Sequence, residues 1–402
     1  METQIKGHVR VLDGNRAAAW SVLLSRPDVV ALYPITPQTQ VVEQLSQFHA
    51  EGLLHAEMVE VEGENSAMST VLGASVAGGR VFTATSSWGL EFMHDVLLVA
   101  AGMRVPVVMV NVNRESTSIP AVAVSRQDVW TERDSGWIHI EAETCQEVLD
   151  SIVMAYRLAE DPDVLLPVMI SYDGFYLSYL SERVEIPTQE DVDRFLTPVA
   201  QTDRPKIVPG ELLSFGGFTF PESFAEYRMK HCLALERAKE KIEEIDRAYH
   251  RAFDRSYGGV IEEYRTEDAE IVIVGMGTEM GTAKGVIDET RDEGMKVGLI
   301  RVRMYRPFPK ERLAKALMGK RTVGVIDKSV CFGWNCGHLF MEMKPVILDL
   351  DKPIPMADFI GGLASADITK DQIRRVIKST FEASQGKPYR EVTWLILGYL
   401  EE

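Results

Sequence analysis

DVVALYPITPQTQVVEQL, residues 28–45, passes from an apolar run of strand length through a turn braced by two prolines into a helix-like stretch. Proline fixes its own φ and restricts the residue before it, so Tyr33-Pro34-Ile35-Thr36-Pro37 is stiff and holds one hydroxyl between two rigid positions. Such a turn, opening a helix, can orient a small anion, and it also serves as an ordinary strand-to-helix loop. The alternation continues outward. GGRVFTATS (78–86), VPVVMVNVN (105–113) and LLPVMISYD (165–173) are further strand-length runs, and NSAMSTVLGASVAGG (65–79) and LEFMHDVLLVAAGM (90–103) place small and apolar residues at helical spacing. Strands alternating with helices predict a parallel α/β sheet. In GASVAGG, Ala77 stands where a nucleophile elbow needs its second glycine, so these small residues read as close helix-to-sheet packing.

At 402 residues the chain is too long for one average domain, and 46% apolar with 26% charged residues is ordinary for a globular protein. A net charge of −17 argues against a nucleic-acid groove or an anionic membrane surface as partner. No window approaches the ~20 apolar residues that span a bilayer, and METQIKGHVRVLDGN (1–15) lacks the apolar core of a secretion signal. With only four cysteines, a reducing cytoplasm is expected. Cys331 and Cys336 form a C-x4-C pair without a second pair or a neighbouring histidine pair. A closed zinc or iron–sulfur site needs four ligands, so both read as small core residues, no metal site is expected here, and any metal centres that pass electrons belong on another chain.

From residue 185 the pattern changes. EIPTQEDVDRFLTPVAQTDRPKIVPGE (185–211) reads as a linker wrapping the surface, and residues 221–259 read as a long charged amphipathic helix stopping at Gly258-Gly259. AEIVIVGMGTEMGTAKGVIDETRDEGMKVGLIRVRMYRPFP (269–309) then has the strand, glycine turn, helix, strand order of a βαβ unit. TVGVIDKSVCFGWNCGHLF (322–340) and PMADFIGGLA (355–364) add strands to the same sheet. The expected organisation is a parallel-sheet domain over 1–185, a linker and helix over 186–258, and a second α/β domain over 259–402. Gly275, Gly277 and Gly281 spell G-x-G-x-x-x-G, one residue off the dinucleotide fingerprint, and the next strand carries Arg301 and Arg303 instead of a ribose-binding acid. An NAD-dependent oxidoreductase is therefore the weaker of the enzyme readings, and the turn is expected to serve packing.

In the first unit, YPITPQTQ (33–40), EMVEVEGENSAMS (57–69) and NVNRESTSIPAVAVSRQD (111–128) should gather at the carboxyl edge of a parallel sheet. Together they offer the Thr36 hydroxyl, the carboxylates Glu60, Glu62 and Glu64, and the Arg114 guanidinium. Hydroxyl plus guanidinium is a natural grip for a carboxylate. The residues by themselves point to a site for a small acid.

YPITP, VEGENSA, GASVAG, FTATSSWGL, MHDVLLVAAGMRVPVVM, NR, RDSGW, SYDGF, YRTEDAEIVIVGMG and YRPFP, in that order along nearly the whole chain, resemble the α subunit of the thiamine diphosphate-dependent 2-oxoacid:ferredoxin oxidoreductases of the pyruvate type. The resemblance implies a pyrimidine-binding, thiamine diphosphate-type α/β domain followed by a unit like the transketolase C-terminal domain. It implies coenzyme A-dependent oxidative decarboxylation of a 2-oxoacid to acyl-CoA and CO2. Glu64 matches the glutamate that bonds the cofactor's aminopyrimidine, with Pro34 and Ile35 beside the ring; Thr36 and Arg114 match the pair that binds the substrate carboxylate. Glu60 and Glu62 carry no implied role and are expected to be structural.

The diphosphate, its Mg2+ and the iron–sulfur clusters are implied to lie on β, γ and δ subunits that pass electrons to ferredoxin, because the chain lacks the motifs that bind them. A non-catalytic docking subunit remains a rival, opposed by the intact Thr36, Glu64 and Arg114. One stretch departs from the pyruvate pattern: Ala121-Val122-Ala123-Val124-Ser125-Arg126 is small where bulky or polar residues are usual. The smaller side chains leave room for a larger acyl group, branched or aromatic as in phenylglyoxylate; alternatively Arg126 meets a second substrate charge or faces solvent, and pyruvate stays open as the substrate. Oxalate is disfavoured, since the related oxalate enzyme has arginine where Thr36 stands.

Overall fold

In the computed structural model, residues 7–117, 122–196 and 204–396 are described. The first part of the chain builds β1 (His8–Leu12), α1 (Gly14–Ser25), β2 (Val29–Leu32), α2 (Thr39–Ala50), β3 (Glu57–Glu60), α3 (Glu64–Val76), β4 (Val81–Thr85), α4 (Trp88–Phe92), α5 (His94–Met103) and β5 (Val108–Asn113). It continues with α6 (Gln127–Thr131), β6 (Ile138–Ala142), α7 (Cys145–Ala159), β7 (Val168–Asp173), β8 (Glu182–Ile186) and α8 (Gln189–Phe195). A 33-residue helix, α9 (Pro221–Phe253), leads to β9 (Ile261–Tyr264), β10 (Ile271–Gly275), α10 (Glu279–Asp292), β11 (Val297–Val302), β12 (Met304–Arg306), α11 (Lys310–Leu317) and β13 (Thr322–Asp327). The chain then adds α12 (His338–Leu348), β14 (Met356–Ile360), α13 (Lys370–Ser384) and β15 (Val392–Trp394).

The strands sort into two main sheets. The first has order β12-β6-β7-β5-β4-β2-β3, parallel except for β12; the second has order β15-β14-β13-β10-β11-β9, parallel except for β9. β1 and β8 form a separate antiparallel pair. The expected α/β architecture is present, and every strand read from an apolar run lies in one of these sheets. Central strands β4, β5 and β7 are buried along their length, as sheets covered on both faces require.

Strand order fixes where a ligand can sit. In the first sheet the chain runs from β2 outward to β3, then returns across β2 to β4, so connections leave neighbouring strands β2 and β4 in opposite directions. In the second sheet β10 connects outward to β11, whereas its other neighbour, β13, is followed by β14 on the far side. Each sheet thus has one topological switch point with a crevice at the strands' carboxyl ends.

Three features depart from the sequence reading. The stretch read as linker contains α8, capped by Thr188 accepting from Asp191 N, with Val192 and Phe195 buried. Its two apolar contacts are diluted by charged neighbours, which hides a short helix from periodicity. Helix α9 ends at Phe253, with Asp254 left-handed at φ 56°, before the two glycines. The buried Asp150 on α7 sets this end by accepting Tyr249 Oη at 2.6 Å, Arg255 Nε at 2.6 Å and Tyr257 Oη at 2.6 Å, which turns the chain back on itself. Finally, β12 leaves the second unit's sequence and pairs with β6 of the first sheet, Met304 opposite Ile140.

Candidate active site

At the first switch point β5, β4, β2 and β3 end side by side. β2 feeds the proline-braced turn, in which the Thr36–Pro37 peptide is cis. The turn is anchored from behind: Gln38, fully buried, donates to Ala84 O at 2.9 Å, and Asn15 Nδ2 donates to Pro37 O at 2.7 Å. Thr36 and Pro34 are left exposed and Ile35 half-buried on its outer side. β5 ends in Arg114, whose Nη1 donates to Thr36 O at 2.9 Å and whose guanidinium lies over the Trp88 indole, 5.6 Å from the ring centre. Arg114 Nε is buried without a hydrogen-bond partner among the described residues.

β3 leads to Glu64, the first residue of α3, 8% exposed and with no hydrogen bond or ion pair among the described residues. Its carboxyl packs on Gly89. A β-carbon there would lie 2.6 Å from Glu64 Oε1 and 2.5 Å from Thr85 Oγ1, so only glycine permits this approach. Thr85 Oγ1 and Ser86 Oγ at the end of β4 are also buried and unpartnered. Buried polar atoms normally find partners; a cluster left without them, beside an unpaired acid and an under-used guanidinium, has the donor set of a binding site. Trp88 and Phe92, 44% and 60% exposed, give it an apolar rim. Glu64, Arg114 and Thr36 are thus joined through Gly89 and Trp88. By contrast, Glu62 accepts Ser66 Oγ at 2.6 Å, a local bond that lowers its pKa, and Glu60 ends β3 in register with Leu32.

Two family models cover most of the chain: "Pyruvate flavodoxin/ferredoxin oxidoreductase, thiamine diP-bdg" over residues 21–247 and "Pyruvate:ferredoxin oxidoreductase core domain II" over residues 269–373. The chain belongs to the pyruvate:ferredoxin oxidoreductase family. Among its relatives in this family, pyruvate synthase subunit PorA of Methanothermobacter thermautotrophicus is 44% identical, over 96% of this chain and 98% of that one. NADH-dependent phenylglyoxylate dehydrogenase subunit alpha of Aromatoleum evansii is 42% identical over 93% of this chain and 91% of its own length. The fold is also that of 2-oxoglutarate:ferredoxin oxidoreductase from Magnetococcus marinus, solved with 2-oxoglutarate, coenzyme A and succinyl-CoA. That likeness has a TM-score of 0.72 at 20% identity, over 92% of this chain and 65% of that one.

In this family member the second switch point is closed. Arg126, expected to meet substrate or solvent, does neither. It is buried between the units, bonding Glu141 at 2.8 Å, Asp173 at 3.0 Å and Glu279 at 2.6 Å, while Lys328 bonds Asp173 at 2.8 Å and Glu279 at 3.1 Å. Three carboxylates and two cations pair with one another, as buried charges must, leaving Asp173 Oδ1 without a hydrogen-bond partner among the described residues. The Arg126 guanidinium fills the place where a phosphate would approach the glycine turn: a β-carbon on Gly277, at φ 67°, would fall 2.0 Å from Arg126 Nη2. With Glu279 at the start of α10, the turn serves packing and not a dinucleotide. Arg301 and Arg303 are likewise buried, both on Glu147, at 2.9 Å and 2.7 Å.

In the small-residue run Val124 and Ser125 are buried while Val122 is 58% exposed, and Val124 N donates to Ser365 Oγ at 2.8 Å. Ala121 lies outside the described residues. Cys336 is buried and Cys331 half-buried, both free, in a tight turn where Cys331 N donates to Cys336 O at 2.7 Å. The sequence reading passes over Trp88, Gly89, Gln38 and Asp128. Trp88 and Gly89 stand in FTATSSWGL, Gln38 in YPITPQTQ and Asp128 in NVNRESTSIPAVAVSRQD, but nothing in those runs sets them apart from their neighbours.

Proposed function

We propose that this chain supplies the proton-handling carboxylate and the carboxylate grip of a thiamine diphosphate-dependent 2-oxoacid oxidoreductase. The reaction is coenzyme A-acylating oxidative decarboxylation, with electrons leaving to ferredoxin or a similar acceptor. The observation that carries the reading is the unpaired, nearly buried Glu64 beside the orphaned hydroxyls of Thr85 and Ser86. This set fits an aminopyrimidine: an acid for the ring nitrogen, hydroxyls for its amino group, and the Pro34–Ile35 turn and Phe92 as apolar walls. When bound, thiamine diphosphate supplies the carbon nucleophile and the electron sink.

Glu64 holds a proton at the aminopyrimidine ring nitrogen, and low solvent access keeps that proton from exchanging with bulk water. Arg114 keeps donors free while Nη1 is occupied by Thr36 O, so it receives a substrate carboxylate on its remaining edge, with the Thr36 hydroxyl completing the grip. The Trp88 indole beneath the guanidinium fixes that plane. A single guanidinium over an apolar wall suits a monocarboxylic oxoacid, pyruvate or an aromatic one, better than a dicarboxylic one, since Arg126 is fully engaged elsewhere.

The relatives spanning this chain are named as subunits, which supports partner chains; the proposal assigns the diphosphate and Mg2+ to a β subunit and the iron–sulfur clusters to γ and δ subunits. The exposed rim of Trp88 and Phe92 is then covered on assembly, and the site lies in the cytoplasm with its acceptor.

The test is Glu64→Gln in the reconstituted complex, followed by oxoacid-dependent viologen reduction over pyruvate, 2-oxobutyrate, branched oxoacids, 2-oxoglutarate and phenylglyoxylate. Turnover should fall by about 10³-fold or more while the complex still assembles. Near-normal turnover would overturn the reading.

A further inference from the structure

We infer that Asp128 is a positioning residue for this reaction, locking the loop that carries Arg114 and the turn that walls Glu64 into one geometry; the inference rests on the function proposed above. Asp128 is the second residue of the short helix α6 and is completely buried. One oxygen, Oδ2, accepts three hydrogen bonds: from Ser87 N at 3.1 Å, Arg114 N at 3.1 Å and Asn111 Nδ2 at 2.9 Å. The other, Oδ1, accepts Val129 N at 2.9 Å. Four N–H donors and no cation make up its hydrogen-bond partners.

The two backbone groups it joins belong to separate strands. Ser87 follows β4 and Arg114 follows β5. Ser87 sits at φ 53° and ψ −128°, a region that disfavours a residue with a β-carbon. That conformation needs an external hold, which the Asp128 bond to its N–H supplies. The Ser87 hydroxyl adds a bond to Glu115 O at 2.8 Å, and Trp88 Nε1 donates to Ser116 O at 2.6 Å, so the turn and the Arg114 loop are tied at three points.

Each loop carries half of the site. The Ser87 turn delivers Gly89 against the Glu64 carboxyl and Trp88 beneath the Arg114 guanidinium. The Arg114 backbone places the guanidinium against Thr36 O. The distance between the acid and the carboxylate grip is therefore held in part by a residue that touches neither side chain. Burial with no cation bonded to it pushes the carboxyl up to about 7, so holding it there carries a cost. A small displacement between reacting groups costs rate steeply, which gives that cost a functional reason.

The experiment compares wild-type, Asp128→Asn, Ser87→Gly and Glu64→Gln complexes. For Asp128→Asn, the amide cannot accept on both sides, so KM for the oxoacid should rise and kcat fall, each about tenfold, with KM for coenzyme A unchanged. The dissociation constant of oxamate, an unreactive oxoacid mimic, should weaken by a similar factor. Ser87→Gly tolerates the φ but loosens the turn, so it should move the same constants in the same direction by less, and it decides the question if Asp128→Asn fails to assemble. Unchanged kinetics and oxamate binding would overturn the inference. So would a lower melting temperature with a proportional loss of kcat and an unmoved KM, the mark of a merely structural residue. If Glu64→Gln remains active, the underlying reading has failed; if it is inactive while Asp128→Asn and Ser87→Gly are kinetically silent, only the positioning role has failed.

Discussion

The two sheets end in two switch-point crevices built from the same kinds of side chain, and they have opposite outcomes. At β10/β13 the acids and cations find one another inside the chain: Arg126 alone meets Glu141, Asp173 and Glu279. At β2/β4 they do not: Glu64 is unpaired, and Arg114 Nε, Thr85 Oγ1 and Ser86 Oγ have no partner among the described residues. A doubly wound sheet makes a crevice wherever its strand order reverses. Whether that crevice binds something is decided by whether the protein has already filled it. On the function proposed above, the crevice whose charges are paired within the chain serves stability, and the one whose acid is left unpaired takes the ligand.

This contrast can be broken from either side. The largest effect is expected at the open crevice: Glu64→Gln should cost about 10³-fold or more in turnover while shifting unfolding free energy by less than about 1 kcal/mol, because no hydrogen bond is lost. Arg126→Met should do the reverse. Leaving three carboxylates against Lys328 alone should cost about 3–5 kcal/mol in chemical denaturation, with the oxoacid KM of the surviving complex little changed. A change in that KM comparable to the one at Arg114 would mean that the closed crevice reports to the site.

Arg114→Ala should raise the oxoacid KM by roughly 10–100-fold, the worth of a charged hydrogen bond of about 1.5–3 kcal/mol, with a smaller effect on the KM for coenzyme A; equal effects on both would argue against carboxylate recognition. A separate test concerns pH. At the closed end of the second sheet, burial raises Asp327 to about 7 and Asp358 to about 8. A carboxyl raised above its unfolded pKa of about 4 contributes stability that is complete below that value and is lost as pH rises through the folded pKa. Stability should therefore decline between about pH 4 and pH 8, and Asp358→Asn should flatten the decline in denaturation curves taken across that range.

Much of this is legible in the residues. The alternation of runs such as VPVVMVNVN with helical stretches points to the sheets, because burial on both faces leaves an apolar signature along the strand. Thr36, Glu64 and Arg114 can be grouped because a parallel sheet collects its loops at one edge, and their proximity through Trp88 and Gly89 agrees with that grouping. Their chemical roles rest on the family resemblance. What is not legible depends on partners distant in sequence. Arg126 looks free because Glu279 is 153 positions away. Asp128 looks like an ordinary helix-start acid because its bonds run to backbone groups of two other loops. Gly277 looks like part of a phosphate turn, when its missing side chain makes room for a guanidinium. Helix α8 and strand β12 escape for a simpler reason: both are too short for a pattern to repeat.

The crossing of β12 into the first sheet has a practical consequence. A polypeptide truncated after α9, though it would hold every strand of the open crevice, would strip β6 of its neighbour and leave His139 and Ile140 on a raw margin of unmet amide and carbonyl groups. Such margins recruit other chains. The front half of this protein should thus be harder to produce alone than its self-contained appearance suggests, and recombination between relatives should tolerate exchange of the whole chain more readily than a splice between its halves.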